Sequence, residues 1–587
     1  MAQVKTLDGT VNIMEEKTMK KIFAYSFAAA LAVFAVSCQS ENLDPQTVTD
    51  EQIQPVQMIT ETITATADEG NTKATVDADA KFAWTAGDNI AVHVSNGASY
   101  KYVLTSDTGA SGASASAASA SFTVVYEEGY ARDAFAVFPA SIVATDAANY
   151  GQSGQTLDVT LPGTYALSAV SGENTPCPMI ADNTGSGWEF KQLCGLLRLT
   201  VSGIPSGTSY LKLDFNGRKV SGAFSVASPV TAGTSTIASV AGTKGTDDFI
   251  KITGITTETS VTVNIPLPTG TAYSDLIVSA WNSSDVPLKA QVTPFSYTAS
   301  RAKGKKLTSA LSLGVFSIAS GKYAVIAPGN LQATYNGSAW SWAFAANQWD
   351  RIGNAEGNTK VSGTSPFVSG YTGTSTTVDL FGWVGASSNF DGVAQYGITS
   401  SKIMNSVDGY GTGETEALKS DWGQNAIGNY AAGTWRTPTN GSTGEWKYVL
   451  SNTDRSTTRY AKAFLDTDSN GSGDVHGIIL FPDKYVHPDG VSPLTGVNDY
   501  SSTSWSANTY NTVDWGKMEA AGAVFLPAAG YRNGSGVSDV NSRGGYWSST
   551  TAGTSTTVRL HFTETGVDDV SNLNRYFGLS VRLIREL

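Results

Sequence analysis

The stretch LLRLTVSG, residues 196–203, alternates apolar and polar side chains. Successive side chains on a β-strand point to opposite faces, so Leu197, Leu199 and Val201 share one face and Arg198 lies on the other. Similar stretches recur along the chain. Turn residues separate them at intervals of roughly 8–12 residues, the spacing of antiparallel β-sandwiches. The pattern predicts a mainly β chain rather than alternating strands and helices.

The composition limits the class of protein. The chain has 587 residues, of which 60 are Gly and only 15% are charged, as is typical of a turn-rich extracellular β protein. The length suits about three or four domains. With 38 Lys and Arg against 51 Asp and Glu, the net charge is −13. This charge argues against a nucleic-acid partner, because phosphate contacts need concentrated positive charge.

A targeting signal precedes the part that is expected to fold. Two lysines lead into the apolar run IFAYSFAAALAVFAVS, which ends before Cys38. A positive flank, a short apolar run and small residues before a cysteine are typical of a bacterial lipoprotein signal peptide. We expect acylation of Cys38, with palmitate among the acyl groups, to anchor the chain in the outer membrane. Residues 1–38 are then a misassigned start and the signal peptide, and the acidic segment 39–57 is a disordered tether.

Two more cysteines, Cys177 and Cys194, remain in the mature chain. Export from the cytoplasm would allow a disulfide between them. Two buried, reduced side chains are the equal alternative.

The first half of the chain resembles the Bacteroidetes fimbrillins, the subunits of type V pili. The resemblance lies in four motifs that occur in the family's order: TKATVDADAKFAWTAGDNIAVHV (72–94), DAFAVFPAS (133–141), LDVTLPG (157–163) and FKQLCGLLRLTVSGIP (190–205). It implies two tandem β-sandwiches, at 58–165 and 166–313, and assembly with other fimbrial subunits by strand complementation.

The resemblance also implies a cleavage site. In the family a trypsin-like protease removes the first strand after a basic residue. Here the first strand is MITETITATA, residues 58–67, and the first basic residue after it is Lys73. Cleavage after Lys73 would open an apolar groove for a strand from another chain. An uncleaved loop lysine on an anchor or tip protein is the equal alternative.

The composition changes near residue 314, where Trp becomes frequent and helix signals appear. In STGEWKYVLSN, Ser442 precedes Glu445 by three residues, which predicts a capping box. Trp446 and Leu450 then fall on one helical face together with Val449. SDWGQNAIGNY (420–430) is a second predicted helix, capped by Ser420 or Asp421.

Two strands are predicted to close the chain. In STTVRLHFTET (555–565) the inward side chains are Val558, Leu560 and Phe562, and in GLSVRLIREL (578–587) the inward positions are 579, 581 and 583.

The region 314–587 resembles a paralogous surface domain of Bacteroidetes and Fibrobacter that is similar to the C-type lectin-like fold. The motifs, in order, are GNLQATYNGSAWSWAFAANQWDRIG, VDLFGWVG, TWRTPTNGSTGEW, DWGKMEAAGAVFLPAAGYR, GYWSST and SVRL. The resemblance implies a loop-rich α+β domain more firmly than it implies a ligand.

Signals for catalysis are missing from the sequence. The formylglycine-generating enzymes of the same fold use a cysteine pair, but no Cys follows Cys194, and no G-x-S-x-G elbow occurs. The His residues are 93, 476, 487 and 561, without metal-binding spacing. His561 alternates with inward residues and is expected to face solvent. We therefore expect a protein that is not an enzyme and has no cofactor. One loop is a candidate calcium site.

That loop is DTDSNGSGD. It places Asp466, Asp468, Asn470 and Asp474 at positions 1, 3, 5 and 9 of a calcium-binding loop, but Gly477 stands where the closing Glu belongs. A polar hairpin tip is the favoured alternative.

The expected function is adhesion by a surface-exposed fimbrial tip or accessory subunit. SVRLIREL looks integral to the last domain, so it would not serve as a donor strand. The expected rim for a host or bacterial glycan or protein is formed by Tyr531, Arg532, Asn533 and Trp547 around the loop 533–545, with Trp547 also helping Phe525 and Leu526 to fill the core. The alternative is a surface lipoprotein that captures glycans or proteins without polymerising.

Overall fold

In a computed structural model of the chain, the structure describes residues 57–67, 84, 88–97, 100–104, 119–142, 156–171, 178–183, 188–227, 246–301, 303–335, 340–354, 356–360, 376–383, 421–468, 470, 471, 474–499, 501, 503–533, 536–553, 556–575 and 577–587. Cys38, Lys73, Cys177 and Ser420 lie outside these residues. Among the residues described, no helix combines the length and apolar character needed to cross a membrane.

The strands of the first half are β1 (Met58–Ala67), β2 (Ala91–Ser95), β3 (Tyr100–Leu104), β4 (Ser119–Glu127), β5 (Ala131–Phe138), β6 (Thr156–Leu161), β7 (Thr164–Ala166), β8 (Met179–Asn183), β9 (Trp188–Gln192), β10 (Gly195–Ser202), β11 (Tyr210–Asp214), β12 (Gly222–Ala227), β13 (Phe249–Thr253), β14 (Ser260–Leu267), β15 (Ala272–Trp281), β16 (Pro287–Thr298) and β17 (Gly304–Ala310). A short helix, α1 (Leu167–Val170), and a 3₁₀ turn, Ala140–Ile142, accompany them.

The second half contains β18 (Leu313–Ala319), β19 (Lys322–Ile326), β20 (Leu331–Tyr335), β21 (Trp340–Phe344), β22 (Thr376–Val378), β23 (Tyr460–Asp466), β24 (Val475–Leu480), β25 (Thr509–Asn511), β26 (Val524–Pro527), β27 (Tyr531–Asn533), β28 (Gly536–Ser538), β29 (Arg543–Thr551), β30 (Thr556–Thr563), β31 (Gly566–Asn574) and β32 (Ile584–Glu586). Its helices are α2 (Glu356–Lys360), α3 (Glu445–Ser451) and α4 (Thr512–Ala520), with 3₁₀ turns at Trp422–Gln424 and Trp505–Ala507. The chain is therefore mainly β, as the sequence predicts.

A seven-stranded sheet comes first, in the order β3-β2-β5-β8-β9-β1-β4. Its core surrounds Trp84, whose ring contacts those of Phe122 and Phe138 edge-on at centroid distances of 5.1 Å and that of Phe190 at 5.3 Å. Edge-to-face pairs of this kind add to the burial energy of aromatic side chains. Trp84, a residue of the fimbrillin-like motif, therefore organises this core.

The strand β1 is inserted between two others. It pairs antiparallel with β4 over nearly its whole length and parallel with β9 only at Ala65–Ala67. Its side chains alternate, and those of Ile63 and Ala65 are buried in the core. Among the described residues β1 is the link between β4 and the rest of the sheet.

The second core lies between two sheets. The strands β14-β10-β17 form one, and β7-β13-β11-β15-β16 belong to the other. Leu197, Leu199 and Val201 are fully buried here, as their alternation predicts, and Arg198 on the opposite face is not. The period-two pattern thus correctly identified the inward face of β10.

The strands are exchanged around the expected boundary at residue 165. β8 and β9 follow it in sequence but complete the first sheet. β6 precedes it but pairs with β12, and β7 pairs with β13 of the second sheet. The sequence motifs mark strands, but not which sheet each strand joins, because pairing depends on distant residues.

One sheet continues past the expected boundary at 313. β16 pairs with β18, so the second sheet runs on through β19 to β32 as one eight-stranded sheet. Ile277, Ala290 and Val292 on its outer face pack into a core shared with residues beyond 314. The second sandwich and the C-terminal region are thus joined by backbone pairing and by a common core.

The helix α3 forms where the sequence predicts it, but its cap differs. Trp446, Val449 and Leu450 are buried as expected. The N-cap is Gly444, without a side-chain bond, so the predicted capping role of Ser442 is wrong. Instead, the backbone N–H of Glu445 donates to the Thr439 hydroxyl at 3.2 Å, and its carboxylate accepts from the Thr439 N–H at 2.7 Å. The turn before the helix folds back and brings Thr439 to this place.

The second predicted helix is only the 3₁₀ turn Trp422–Gln424, with Asp421 accepting from the Gly423 N–H at 3.0 Å. At the end of the chain, Leu579, Val581 and Leu583 are buried as predicted. The segment is not one strand, however, because isolated bridges at 578–580 precede β32.

Candidate ligand-binding site

The hairpin β27–β28 borders the predicted rim. Tyr531 is half-buried, and its ring contacts Phe577 edge-on at a centroid distance of 5.6 Å. The Arg543 guanidinium lies over the Tyr531 ring, 5.2 Å from the centroid, in cation–π geometry. Asn533 is exposed. Tyr531 and Asn533 therefore have surface that a ligand can reach, next to an arginine that the sequence did not single out.

Two of the expected rim residues are buried instead. Arg532 is 0% exposed, with its Nε donating to the Leu380 carbonyl at 3.2 Å. Burial lowers its pKa to about 10. Trp547 is also 0% exposed, and its Nε1 donates to the Phe381 carbonyl at 2.5 Å. Segment 380–381 holds both side chains inside, so neither can contact a ligand directly.

Next to Tyr531, one face of the sheet β29-β30-β31 carries a cluster of cationic and imidazole side chains. In the pairing of β29 with β30, Gly545 lies opposite His561, and Trp547 lies opposite Arg559. Arg543 is on the same face of β29, two residues before Gly545. We call Arg543, Arg559 and His561, around Gly545, the basic cluster. The sequence offered the signal of Arg559 and His561 two residues apart on one strand.

Arg559 is the unusual member. Only 6% of its surface is exposed, and its Nε is completely buried. Within the described ranges, its guanidinium has no hydrogen-bond partner. A Cβ on Gly545 would be 2.9 Å from the Leu579 side chain and 3.5 Å from Arg559 Nη1, so the missing side chain leaves room for Leu579 next to the guanidinium. Burial, and then repulsion from Arg543, lower the Arg559 pKa to about 10, although Asp568 opposes this.

His561 was expected to face solvent, and this is wrong. It is half-buried, its Nε2 is buried without a partner, and burial, followed by repulsion from Arg559 and Arg543, lowers its pKa to about 4. Both faces of β30 are covered, because Leu560 and Phe562 pack into one core while Trp547 and Leu579 on the other face belong to a second. Alternation alone cannot detect a strand covered on both faces.

The predicted calcium loop brings its acidic side chains together. Oxygens of Asp466, Asp468 and Asp474 lie within 4.8 Å of one another. The loop also satisfies these groups itself. Asp466 accepts from the N–H groups of Asn470 at 3.1 Å and of Gly471 at 2.9 Å.

Asp474 accepts from the hydroxyl and N–H of Thr467 at 2.6 and 2.7 Å, and these bonds lower its pKa. The Asn470 side-chain amide donates to Asp468 at 2.6 Å. The carboxylates fit a hard cation in type and proximity, yet they also form a self-capped hairpin tip. Calcium at this loop stays a prediction.

Cys194 is completely buried in the second half of the FKQLCG motif. Its expected partner Cys177 lies outside the described residues, as do Cys38 and Lys73. The disulfide, the lipidation and the cleavage therefore stay predictions.

Comparison with known proteins gives a family model and several distant structures. The model, described as a domain of unknown function (DUF8237), matches residues 490–584. No curated protein matches.

Among solved structures, a candidate cell adhesion protein from Bacteroides ovatus is 16% identical, with 42% of this chain and 91% of that chain covered and a TM-score of 0.26. A fimbrial assembly protein from Parabacteroides distasonis is 11% identical, with 46% and 95% covered and a TM-score of 0.23. The tip fimbrial protein Mfa3 from Porphyromonas gingivalis, with a C-terminal truncation, is 12% identical, with 40% and 82% covered and a TM-score of 0.18. At such TM-scores these likenesses carry no functional argument by themselves.

Proposed function

We propose that the chain is a non-enzymatic, surface-exposed tip or accessory subunit of a fimbria, anchored through Cys38 until cleavage after Lys73 releases it, and carrying an adhesive C-terminal region. The observation that carries this proposal is the position of β1, an inserted strand whose removal would open the first sheet. The fimbrillin-like motifs, which include the buried Trp84, add to this support.

The inward face of β1 favours replacement of this strand by a strand from another subunit. Its four inward positions hold Ile59, Glu61, Ile63 and Ala65, so only part of this face is apolar. Glu61 accepts a hydrogen bond from the Tyr126 hydroxyl at 2.7 Å and forms an ion pair with Arg132 at 3.4 Å. A strand with an inward carboxylate buries less apolar surface than an all-apolar strand, and its replacement by a more apolar strand would be favourable.

Removal of β1 would leave an acceptor groove. The strand pairs with β4 from Met58 to Thr66, so its loss would expose the N–H and C=O groups of β4 along that length. It would also uncover Phe122 and Val124 of β4, which are fully buried. Unpaired edges with apolar side chains are the surfaces to which strands from other chains add. Cleavage after Lys73 would separate β1 from the rest of the chain.

The strand β32 is held on both of its edges. It pairs with β19 on one side, and Ile584 exchanges backbone hydrogen bonds of 2.9 Å with Arg436 on the other. The Arg436 guanidinium also forms an ion pair with Glu586 at 3.3 Å. A strand engaged in this way is not available to a neighbouring subunit, which supports a receiving rather than a donating role.

The adhesive role is assigned to 314–587, which we propose to be a C-type lectin-like head. The support is the motif order described above, together with the half-buried Tyr531 beside Arg543. The proposed partners of this head are glycans and proteins on host or bacterial surfaces, which it would contact from the outer face of the cell.

Fimbrial fractionation combined with N-terminal sequencing tests this proposal. Fimbriae would be sheared from cells that produce the chain and from cells that produce a Lys73→Gln variant. We expect the wild-type chain in the fimbrial fraction, starting at residue 74. Tyr126→Phe is the control, because it keeps Lys73 but removes the hydrogen bond to Glu61. It shows the effect of a less stable first sheet when the cleavage site is intact.

The outcomes separate the alternatives. A start at Cys38 within fimbriae means an uncleaved anchor or tip protein. Glycan binding by a chain that stays with the membrane and never enters fimbriae would favour the non-polymerising surface lipoprotein and reject the proposal.

A further inference from the structure

The basic cluster contains cationic and imidazole groups that the fold leaves without hydrogen-bond acceptors. Arg559 is only 6% exposed, its Nε is buried, and its guanidinium has no hydrogen-bond acceptor among the residues that the structure describes. The His561 Nε2 is also buried without one, whereas the Arg543 Nε has an ion pair with Asp539 at 3.4 Å. Buried guanidinium groups normally have acceptors, because an unsatisfied buried cation is costly. A group left in this state is expected to serve a ligand that the fold itself does not supply.

We propose that the basic cluster binds an oxyanion, a carboxylate or sulfate group presented by the ligand of the adhesive C-terminal region. The inference deepens the proposed function, on which its biological meaning rests, by giving the chemical class of the ligand. The anion would accept from the guanidinium groups of Arg559 and Arg543 and from the His561 imidazole.

The sheet geometry brings the three side chains to one place. Arg543 lies on the same face of β29 as Gly545, and on the paired strand β30 His561 lies directly opposite Gly545, two residues from Arg559. The Leu579 side chain lies 2.9 Å, and the Arg559 Nη1 3.5 Å, from the position that a Cβ on Gly545 would take, so both groups pack against the bare backbone of Gly545. The two guanidinium groups are near enough for Arg543 to repel Arg559, and together they can supply the bidentate hydrogen bonds that carboxylate and sulfate accept.

Two carboxylates lie near the basic cluster, but neither forms a buried ion pair with it. Asp539 forms an ion pair with the Arg543 Nε at 3.4 Å, and the two side chains are partly exposed, at 40% and 36%. Asp568 is exposed, lies opposite His561 on β31 and attracts Arg559 without bonding to it. Exposed pairs of this kind contribute little, so an incoming anion can compete with them.

The basic cluster is unusual in a chain whose net charge is negative. The chain carries −13, so a general attraction for anions is not expected. The position of the cluster also fits a surface ligand. The half-buried Tyr531 ring lies under Arg543, at the border of exposed Asn533, so a sugar that carries the anion would meet an aromatic face beside the charge.

Anion binding by the full mature chain tests the proposal. Sodium sulfate would be titrated against the chain by calorimetry, and thermal unfolding would be followed in sulfate and in chloride of equal ionic strength. The variants are Arg559→Gln and Arg543→Gln. The matched control is Arg218→Gln, which removes the same charge from an exposed site in the second sandwich. A second arm compares acidic and neutral oligosaccharides of equal length.

We expect sulfate to raise the unfolding midpoint of the wild type and of Arg218→Gln beyond the effect of chloride. Arg559→Gln should bind sulfate at least about tenfold more weakly, the size expected for loss of a charge-assisted hydrogen bond. Without sulfate this variant should be at least as stable as the wild type, because it lacks the unsatisfied buried cation. If Arg559 only stabilised the fold, Arg559→Gln would be less stable than the wild type without sulfate.

Three results distinguish the outcomes. Arg559-dependent binding of acidic but not neutral sugars identifies a glycan source, and binding of sulfate alone identifies a small-ion site. Equal sulfate effects in the wild type, Arg559→Gln and Arg543→Gln would overturn the inference. If Arg559→Gln does not fold, the comparison of Arg543→Gln with the wild type is sufficient. Absence from fimbriae would reject the proposed function but leave this binding result unaffected.

Discussion

The carboxylate of Asp275 accepts a hydrogen bond from the backbone N–H of Ala431 at 2.6 Å, between residues 156 positions apart in the chain. Asp275 lies at a bulge in β15, with a φ of 56°, and is 1% exposed. The same carboxylate accepts from the Thr434 hydroxyl. The bulge thus turns an acidic side chain of the second sandwich towards the C-terminal region and fixes the two together.

We expect Asp275→Ala to lower the free energy of unfolding by about 1–3 kcal/mol, because the two donors would be left buried without an acceptor. Asp275→Asn keeps one oxygen acceptor and a residue type that tolerates positive φ, so its loss should be smaller. Urea unfolding measures both. Asp489→Ala, at an exposed site, is the control and should change little. Equal losses in all three variants would contradict a specific role for Asp275.

Gly423 and Gly516 provide a matched pair of glycines. A Cβ on Gly423 would be 1.7 Å from the Trp435 carbonyl oxygen, a backbone atom, whereas nothing lies within 4 Å of a Cβ on Gly516 in α4. Gly423→Ala should therefore destabilise the chain by at least about 1–3 kcal/mol through overpacking. Gly516→Ala should stabilise it by about 0.5–1 kcal/mol, because Ala favours helix. Thermal unfolding tests both signs, and a stable Gly423→Ala variant would refute the contact.

The anchoring of β1 should depend on one face only. Ile63 is 1% exposed in the first core, and its neighbour Thr64 faces solvent. Ile63→Ala should lower the free energy of unfolding by about 2–4 kcal/mol, and Thr64→Ala should change it by less than about 0.5 kcal/mol. If β1 is the strand released on cleavage, Ile63→Ala should also increase the rate of trypsin cutting between β1 and Trp84. Equal cutting of the two variants would argue against that release.

The pKa of His561 gives a pH dependence of stability. This pKa is about 4 in the folded chain against the usual 6.5, first because of burial and then because of repulsion by Arg559 and Arg543, with Asp568 opposing. Above pH 6.5 the imidazole is neutral in both states. Between pH 6.5 and 4 the unfolded chain takes up the proton first. The free energy of unfolding therefore falls, by about 1–2 kcal/mol after allowance for partial exposure.

His561→Gln should remove this contribution. Its loss of stability on going from about pH 7.5 to about pH 4.5 should be smaller than that of the wild type, as measured by urea unfolding. Parallel losses in the two proteins would show that His561 titrates normally.

Calcium at the loop 466–474 has a direct test. Oxygens of Asp466, Asp468 and Asp474 converge within 4.8 Å. On the calcium hypothesis, millimolar calcium should raise the unfolding midpoint of the wild type, because a ligand of the folded state stabilises it. Exposed Asp468→Asn should reduce that rise, and magnesium should not reproduce it. An unchanged midpoint in calcium would end the hypothesis and leave a hairpin tip.

Local patterns predicted the elements of the fold but not their assembly. The alternation in β10 and the apolar face of α3 are properties of neighbouring residues, and the structure has both. The cap of α3 was misassigned, because Thr439 reaches Glu445 only after a turn folds back. The assignment of β8 and β9 to the first sheet was missed for the same kind of reason, since strand pairing joins residues far apart in sequence.

The candidate site shows the same difference between what local patterns predict and what tertiary packing decides. The sequence drew attention to Tyr531 and its neighbours, yet Arg532 and Trp547 are buried under segment 380–381, and the basic cluster went unrecognised. Exposure is set by what packs on a strand, and β30 is covered on both faces. Arg559 lies in an alternating strand like any other surface arginine, and nothing nearby in the sequence reveals its burial.

The sequence by itself determined the mainly β class, the inward faces of the strands and the helical face of Trp446, Val449 and Leu450. These follow from the period of each element and from the chemistry of adjacent side chains. Only the tertiary structure decided the insertion of β1, the sheet that continues through β16 and β18, and the burial of Arg559 with no acceptor for its guanidinium in the part of the chain that the structure describes. Each of these depends on which distant segments meet, because burial and pairing are set by the surroundings of a residue in space.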